Sequence, residues 1–208
     1  MRHFYSSFVI LLKANQRNLF LKEEELIKQC KKNNYDAQLQ LYNMHKRQVY
    51  NASWRILKNR QDAEDVLQDS FIKGFSKIEQ VKDDTNIGAW FKRIAINRSL
   101  DVLRKRNKQW MDDIDEIEIE ADMNSDDLIE EESINIDLIK ECIHNLSEKY
   151  RVILTLYLIE NYNHREISEE LQIKESTVRN QYIRGKKKLK EMFHKQKSHE
   201  FKAIHTAK

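Results

Sequence analysis

An all-α fold is the class this sequence predicts, and three observations carry it. The chain has no Pro, it has only three Gly in 208 residues, and its apolar residues recur at helical rather than strand spacing. That length accommodates one or two domains. The formal net charge is only +3. Basic and acidic residues nevertheless lie in separate blocks, so their distribution says more than their sum.

The apolar run Phe4–Leu12 follows Arg2 and His3, faintly like a signal peptide. It is too short to cross a bilayer, and Lys13 interrupts it without a small-residue cleavage site. It reads as an extension of the chain, either a docking segment or a misassigned start. No transmembrane stretch follows, so a soluble, cytoplasmic protein without direct membrane insertion is expected. Cys30 and Cys142 fall in what read as different domains, which favours a reduced chain over a disulfide scaffold. Cys142 and His144 have the spacing of half a metal site. No second pair follows at finger spacing, so neither a metal nor another cofactor is expected.

The first helix is expected from about Glu23 to Tyr35, with Leu26, Ile27 and Cys30 on one side. Asn33 and Asn34 break it, and Asp36 is a candidate cap for the next. That helix runs from Ala37 to about Leu57, with Leu41, His45, Val49, Ala52, Ser53 and Ile56 as a buried stripe. Asn59 and Arg60 are expected to close it. A third helix opens at Asp62, where Asp62-Ala63-Glu64-Asp65 resembles a capping box. Leu67, Phe71, Gly74, Phe75 and Ile78 face inward. Asp65, Gln68, Asp69 and Ile72 occupy another face, which reads either as a protein-docking patch or as a solvated acidic surface.

The polar loop Lys82–Gly88 precedes a fourth helix, expected from Ala89 to about Lys108. Phe91, Ile94, Ala95 and Val102 point toward a core. Trp90, Arg93, Asn97, Asp101 and Arg104 share an arc of about 80°. Bases stack on aromatic rings and phosphates meet guanidinium groups, so this arc suits single-stranded nucleic acid. The alternative is a surface helix whose Trp90 is simply core. The helix ends in the basic run Arg104–Lys108, able to hold duplex backbone. From Asp112 to Glu132 there is no Lys or Arg and many Asp and Glu. Such a like-charged block repels itself and reads as a linker.

Leu138, Ile139, Cys142, Ile143 and Leu146 mark a helix of a second domain. Ser147 caps the next, which carries Arg151, Val152, Ile153, Leu154, Leu156 and Tyr157. Asn161 and Asn163 break the chain before His164–Lys190, whose pattern is two helices joined by a tight turn. Ile167, Leu171, Ile173 and Val178 are its apolar anchors, Gln172 stands where such turns often place Gly, and Ser176 is expected to cap the second helix. Val178, Tyr182, Gly185 and Leu189 share one face of that helix. Ser176, Thr177, Asn180, Arg184, Lys187 and Lys188 line the opposite arc. Those side chains read base edges and clamp phosphates, and the pattern is that of a helix-turn-helix. An ordinary amphipathic hairpin with a solvated basic face is the alternative. Beyond Phe193 the polar tail is expected to fray.

Two separated motifs then occur in a telling order. Residues 62–71 (DAEDVLQDSF) followed by residues 88–97 (GAWFKRIAIN) resemble region 2 of bacterial sigma factors, and Leu146–Leu189 resembles their region 4. The short length resembles the extracytoplasmic-function group, over roughly residues 22–195. The resemblance implies five segments: an N-terminal extension (1–21), a region 2 domain (22–110), an acidic linker (111–136), a region 4 domain (137–195) and a polar tail (196–208). It implies that Asp65, Gln68, Asp69 and Ile72 dock on the β′ clamp helices of core RNA polymerase, with the β flap as a further contact. Asn86 in the loop, with Trp90, Arg93, Asn97 and Arg104, would capture the −10 element of promoter DNA and flip out a base. Ser176, Thr177, Asn180, Arg184, Lys187 and Lys188 would read the −35 element. The linker would thread toward the polymerase's basic channel. An anti-sigma factor is a common partner in the family.

Departures from the family pattern are Asn161–His164 at the entry to the helix-turn-helix, Ser168 in place of a small apolar residue, and Gly185 in the recognition helix. A mid-helix Gly costs about 0.5–1 kcal/mol relative to Ala. No nucleophile–base set or phosphate loop is visible, so an enzyme is not expected. A stand-alone helix-turn-helix regulator would bind a palindrome without polymerase. A polymerase-binding adaptor would never touch DNA. The aromatic-basic face of the first domain favours the sigma reading over the stand-alone regulator.

Overall fold

The computed structural model describes residues 23–106 and 135–206, and every regular element among them is helical. The expectations for the N-terminal run, for the end of the basic run at Lys108 and for the acidic linker lie outside the described residues. Contacts divide the chain into two compact units, the first ending at Ser99 and the second beginning at Leu100, within one helix.

In the first unit, α1 (residues 23–31) buries Leu26, Ile27 and Cys30 as its spacing predicts. It ends before Tyr35 because Asn33 turns left-handed, at φ 59°. Asn34 then caps α2 (Tyr35–Leu57), its side-chain oxygen accepting the Ala37 N–H at 3.0 Å. Asp36 is therefore a first-turn residue and not the cap. Lys58, at φ 51°, ends α2 by returning its N–H to the Trp54 carbonyl. The adjoining Asn59 opens α3 (Arg60–Ser76) by accepting from Asp62 N–H at 3.1 Å. The helix thus starts two residues before the expected Asp62, and Asn59 and Arg60 begin it instead of closing α2. A 3₁₀ turn at Ile78–Gln80 follows, and then α4 (Ile87–Arg106).

The α2 stripe is buried as predicted. In α4 the buried set is wider than expected: Ile87, Phe91, Ala95, Ile96, Leu100 and Leu103 are inside, whereas Ile94 and Val102 are only half-buried. Each large aliphatic side chain fully removed from water contributes about 1.5–3 kcal/mol. One buried serine recurs in each of α2, α3 and α4. Ser53, Ser70 and Ser99 each donate to the carbonyl four residues back, which satisfies the hydroxyl inside the core.

Across α1 and α2, Glu23 and His45 form a buried polar pair, with His45 Nε2 3.3 Å from a Glu23 oxygen. Gln48 Nε2 lies 2.8 Å from the other ring nitrogen. If Gln48 donates there, Nε2 carries the proton that faces Glu23. Burial pushes the Glu23 carboxyl up and the His45 imidazole down, each toward its neutral form.

The second unit contains α5 (Ile136–Asn145), α6 (Glu148–Leu154), a π-turn at Thr155–Ile159, α7 (His164–Leu171) and α8 (Glu175–Thr206). Ser147 precedes α6 as predicted but makes no side-chain cap bond. Ile143, Leu146, Tyr150 and Leu154 form one core cluster, joined by Tyr182 and Leu189 of α8. Leu138, Cys142 and Phe193 form another. Arg151 is also buried, and its guanidinium donates to the Leu146 carbonyl at 3.5 Å and lies 3.7 Å from Glu148. Where fraying was expected after Phe193, α8 continues as helix to Thr206. Within it Gln196 accepts from the Cys142 thiol. Both cysteines are free and buried. Burial pushes the Cys30 thiol up to about 11 and also raises Cys142, so both remain protonated at neutral pH.

Candidate nucleic-acid interface

The helix-turn-helix is set by its two capping residues. Asn163 and Glu166 form a reciprocal capping box at the start of α7, with both bonds at 2.9 Å. Asn-x-x-Glu is the signal in the sequence that marks it. Gln172 ends α7 in the left-handed region, at φ 57°, a conformation that costs a non-Gly residue about 1–2 kcal/mol. Ile167, Leu171 and Val178 are buried on either side and hold the turn in place.

The first turn of α8 begins at Glu175. Ser176 is thus an exposed residue inside the helix and does not cap it. Lys174 occupies the cap position and supplies the carbonyl that accepts the Val178 N–H. Val178 and Gly185 are buried and Tyr182 and Leu189 half-buried, as the predicted packing face requires. Gly185 is more than an interruption. A Cβ there would lie 3.3 Å from both Leu154 and Tyr150, so its absence lets α8 approach α6.

The outer arc of α8 presents Ser176 and Lys187 exposed, with Thr177, Asn180 and Arg184 half-buried. Lys188, also exposed, lies at the margin of that arc. Its ammonium lies 5.4 Å above the Tyr150 ring, which Lys149 also approaches at 5.6 Å. Behind the recognition surface, His164 stacks on Tyr157 at 4.6 Å and meets the edge of Tyr182 at 5.1 Å.

The other predicted nucleic-acid face lies along α4. Arg93 is exposed. Trp90 is half-buried, its ring 5.2 Å from that of Phe91. Asn97 is half-buried, and its side-chain oxygen is enclosed without a hydrogen-bond partner. Two residues are engaged internally. Arg104 pairs with Asp101 one turn back, which offsets part of its charge. Asn86 accepts the Ala89 N–H at 2.9 Å and caps α4, which ties its amide oxygen to the helix start.

Asp65, Gln68 and Asp69 are exposed on α3, and Ile72 is 69% exposed, opposite the buried face of Ala63, Val66, Ser70 and Phe71. Asp69 also pairs with Arg98 of α4, a link that spans 29 residues and carries no local sequence signal. A further tie of that kind joins Lys31 to Asp83 at 2.7 Å. Among the described residues, no cluster of His, Cys, Asp or Glu is placed to hold a metal ion. No described helix is long and apolar enough to cross a membrane.

Comparison with known proteins matches residues 41–109 to sigma-70 region 2 and residues 136–189 to sigma-70 region 4. The chain is 29% identical over 173 residues to the ECF RNA polymerase sigma factor SigW of Bacillus subtilis, covering 79% of this chain and 92% of that protein. It is 30% identical over 163 residues to the ECF RNA polymerase sigma factor SigE of Mycolicibacterium smegmatis, covering 76% of this chain and 62% of that one. A solved structure of the sigma factor RpoE with the anti-sigma factor NepR from Bartonella quintana is similar at a TM-score of 0.45 and 19% identity. That match covers 74% of this chain and 95% of the other.

Proposed function

The chain belongs to the extracytoplasmic-function group of the sigma-70 family, and from that premise we propose how its surfaces share the work of promoter-directed initiation. As a sigma factor it binds core RNA polymerase and recognises promoter DNA. Sigma factors are in general non-catalytic, and we read this chain as supplying no catalytic group.

The observation that carries the reading is the order of the two matched regions, the second of which contains the helix-turn-helix of α7 and α8. The α3 patch of Asp65, Gln68, Asp69 and Ile72 docks on the β′ clamp helices, and the region 4 domain meets the β flap. Trp90, Arg93, Asn97 and Arg104 receive the unpaired −10 strand beside the Lys82–Asn86 loop. Ser176, Thr177, Asn180, Arg184 and Lys187 face the −35 duplex, with Lys188 at its margin. Base stacking contributes about 1–3 kcal/mol per base, enough to offset the few kcal/mol lost on unstacking. The working domains are residues 22–110 and 137–195, the place of action is the cytoplasm, and an anti-sigma factor covers one of these faces when transcription is off.

In vitro transcription with core polymerase, with and without the protein, tests this on fragments from its own upstream region. Discrete start sites that appear only with the protein are expected. Specific duplex binding by the protein alone, with no new start sites, would contradict it.

A further inference from the structure

The five residues Lys82–Asn86 connect the 3₁₀ turn to α4, and their ends are fixed by the buried side chains of Val81 and Ile87. Within the loop the Thr85 N–H donates to the Lys82 carbonyl at 3.0 Å, and Asn86 caps α4. One further restraint comes from a distant part of the chain. Lys31, the last residue of α1, donates from Nζ to Asp83 Oδ1 at 2.7 Å. The Lys31 side chain is largely enclosed, at 23% exposure, whereas that of Asp83 is 42% exposed. The hydrogen bond from Lys31 holds the Asp83 carboxyl below the usual range, burial opposes this, and the charges of Lys31 and Lys28 add to the lowering. The loop is thus fixed at its ends by Val81 and Ile87, and between them by its internal turn and one ion pair to α1.

We propose that Lys31 is a positioning residue for promoter melting: through Asp83 it holds the Lys82–Asn86 loop in the conformation that meets the unpaired −10 base. The inference rests on the reading of this loop and the Trp90 face as the −10 site. A base-capturing loop that is already ordered loses less conformational freedom when the strand arrives. Without Lys31, Asp83 keeps its charge but loses its anchor, and the loop samples conformations that miss the base. A positioning role also predicts that Arg, which keeps a cationic donor, substitutes for Lys31.

The test compares Lys31→Met, Lys31→Arg and Trp90→Ala in holoenzyme made with the full chain. Three readouts are taken: affinity for core polymerase, thermal stability, and open-complex formation followed by permanganate reactivity of unpaired thymines. Lys31→Met is expected to slow open-complex formation by up to about fivefold, the scale of one partly exposed ion pair. Polymerase affinity should stay unchanged, and Lys31→Arg should restore melting. Normal melting by Lys31→Met beside a defective Trp90→Ala would overturn the role of Lys31 alone. Normal melting by Trp90→Ala would overturn the −10 reading beneath it. Parallel loss of polymerase binding and stability in Lys31→Met, without rescue by Arg, would reduce the pair to a structural tie.

Discussion

Gly74 of α3 lies flat against the ring of Phe91 in α4, so close that a Cβ on Gly74 would stand 2.3 Å from Phe91 Cε1. The ring has nowhere to go. It is fully buried, with Phe71 at 4.4 Å, Phe75 at 5.3 Å and Trp90 at 5.2 Å between centroids. Gly74→Ala would gain about 1 kcal/mol of helix propensity. Overpacking of a fixed core typically costs about 1–3 kcal/mol, and this contact is shorter than a Cβ tolerates, so the cost is expected to win. The variant should melt several degrees lower, about 4–8 °C per kcal/mol for a unit of this size. An unchanged or raised midpoint in a thermal melt would show that the ring can shift.

The Asp69–Arg98 pair separates stability from docking. Side-chain exposures of 52% and 37% put it largely in solvent, where such pairs contribute about 0–1 kcal/mol. Asp69→Asn and Arg98→Gln should each therefore alter the melting temperature little. Their effects on affinity for core polymerase should have opposite signs. Removing Asp69 takes a charge out of the acidic patch, and removing Arg98 uncovers one. Titration of core polymerase with labelled protein measures both, and a shared sign would refute docking through the Asp69 carboxylate.

Helix identity and the packing faces were legible in the sequence because both follow from a period of 3.6 residues. The α2 stripe and the Val178–Leu189 face needed only that rule. Caps were harder to place, because several residues compete for each. Asn33, Asn34 and Asp36 are all capable, and only the backbone shows that Asn33 takes the left-handed turn while Asn34 accepts the bond. The same competition set Asp62 against Asn59. In α4 a narrow stripe missed Ile96 and Leu103, because the helix is buried over a wide arc. The ties Lys31–Asp83 and Asp69–Arg98 join residues distant in sequence, for which no local pattern exists.

Lys187 and Lys188 are neighbours with different surroundings. Both are exposed on α8, but only the Lys188 ammonium sits over the Tyr150 ring. Lys187→Ala should reduce the slope of log affinity against log salt for a −35 duplex in holoenzyme by about 1, the mark of one lost phosphate contact. Lys188→Ala should leave more of that slope intact and instead cost about 0.5–1 kcal/mol of stability, the scale of an exposed cation–π contact. Equal salt slopes for the two variants would place both ammonium groups on the backbone.

His164 gives the second unit a predictable response to acid. It begins α7, stacked on Tyr157 and edge-on to Tyr182, and its Nε2 is buried without a hydrogen-bond partner. Burial pushes its imidazole below the ordinary value, the Arg179 charge pushes it lower, and Glu175 acts in the opposite sense. A group whose folded pKa is depressed binds its proton better when unfolded. Its contribution to stability is therefore in place above about pH 6.5 and is lost as pH falls through the lower folded value. His45 is shifted in the same direction by burial, so part of any acid sensitivity belongs to the first unit. His164→Phe keeps an aromatic ring between the tyrosines, removes the titration and leaves no ring nitrogen to desolvate. Thermal melts of the full chain at pH 7.5 and 5.5 should show a smaller acid-induced drop for the variant than for the wild type. Identical drops would mean that His164 protonates without penalty, with its ring turned out of the stack.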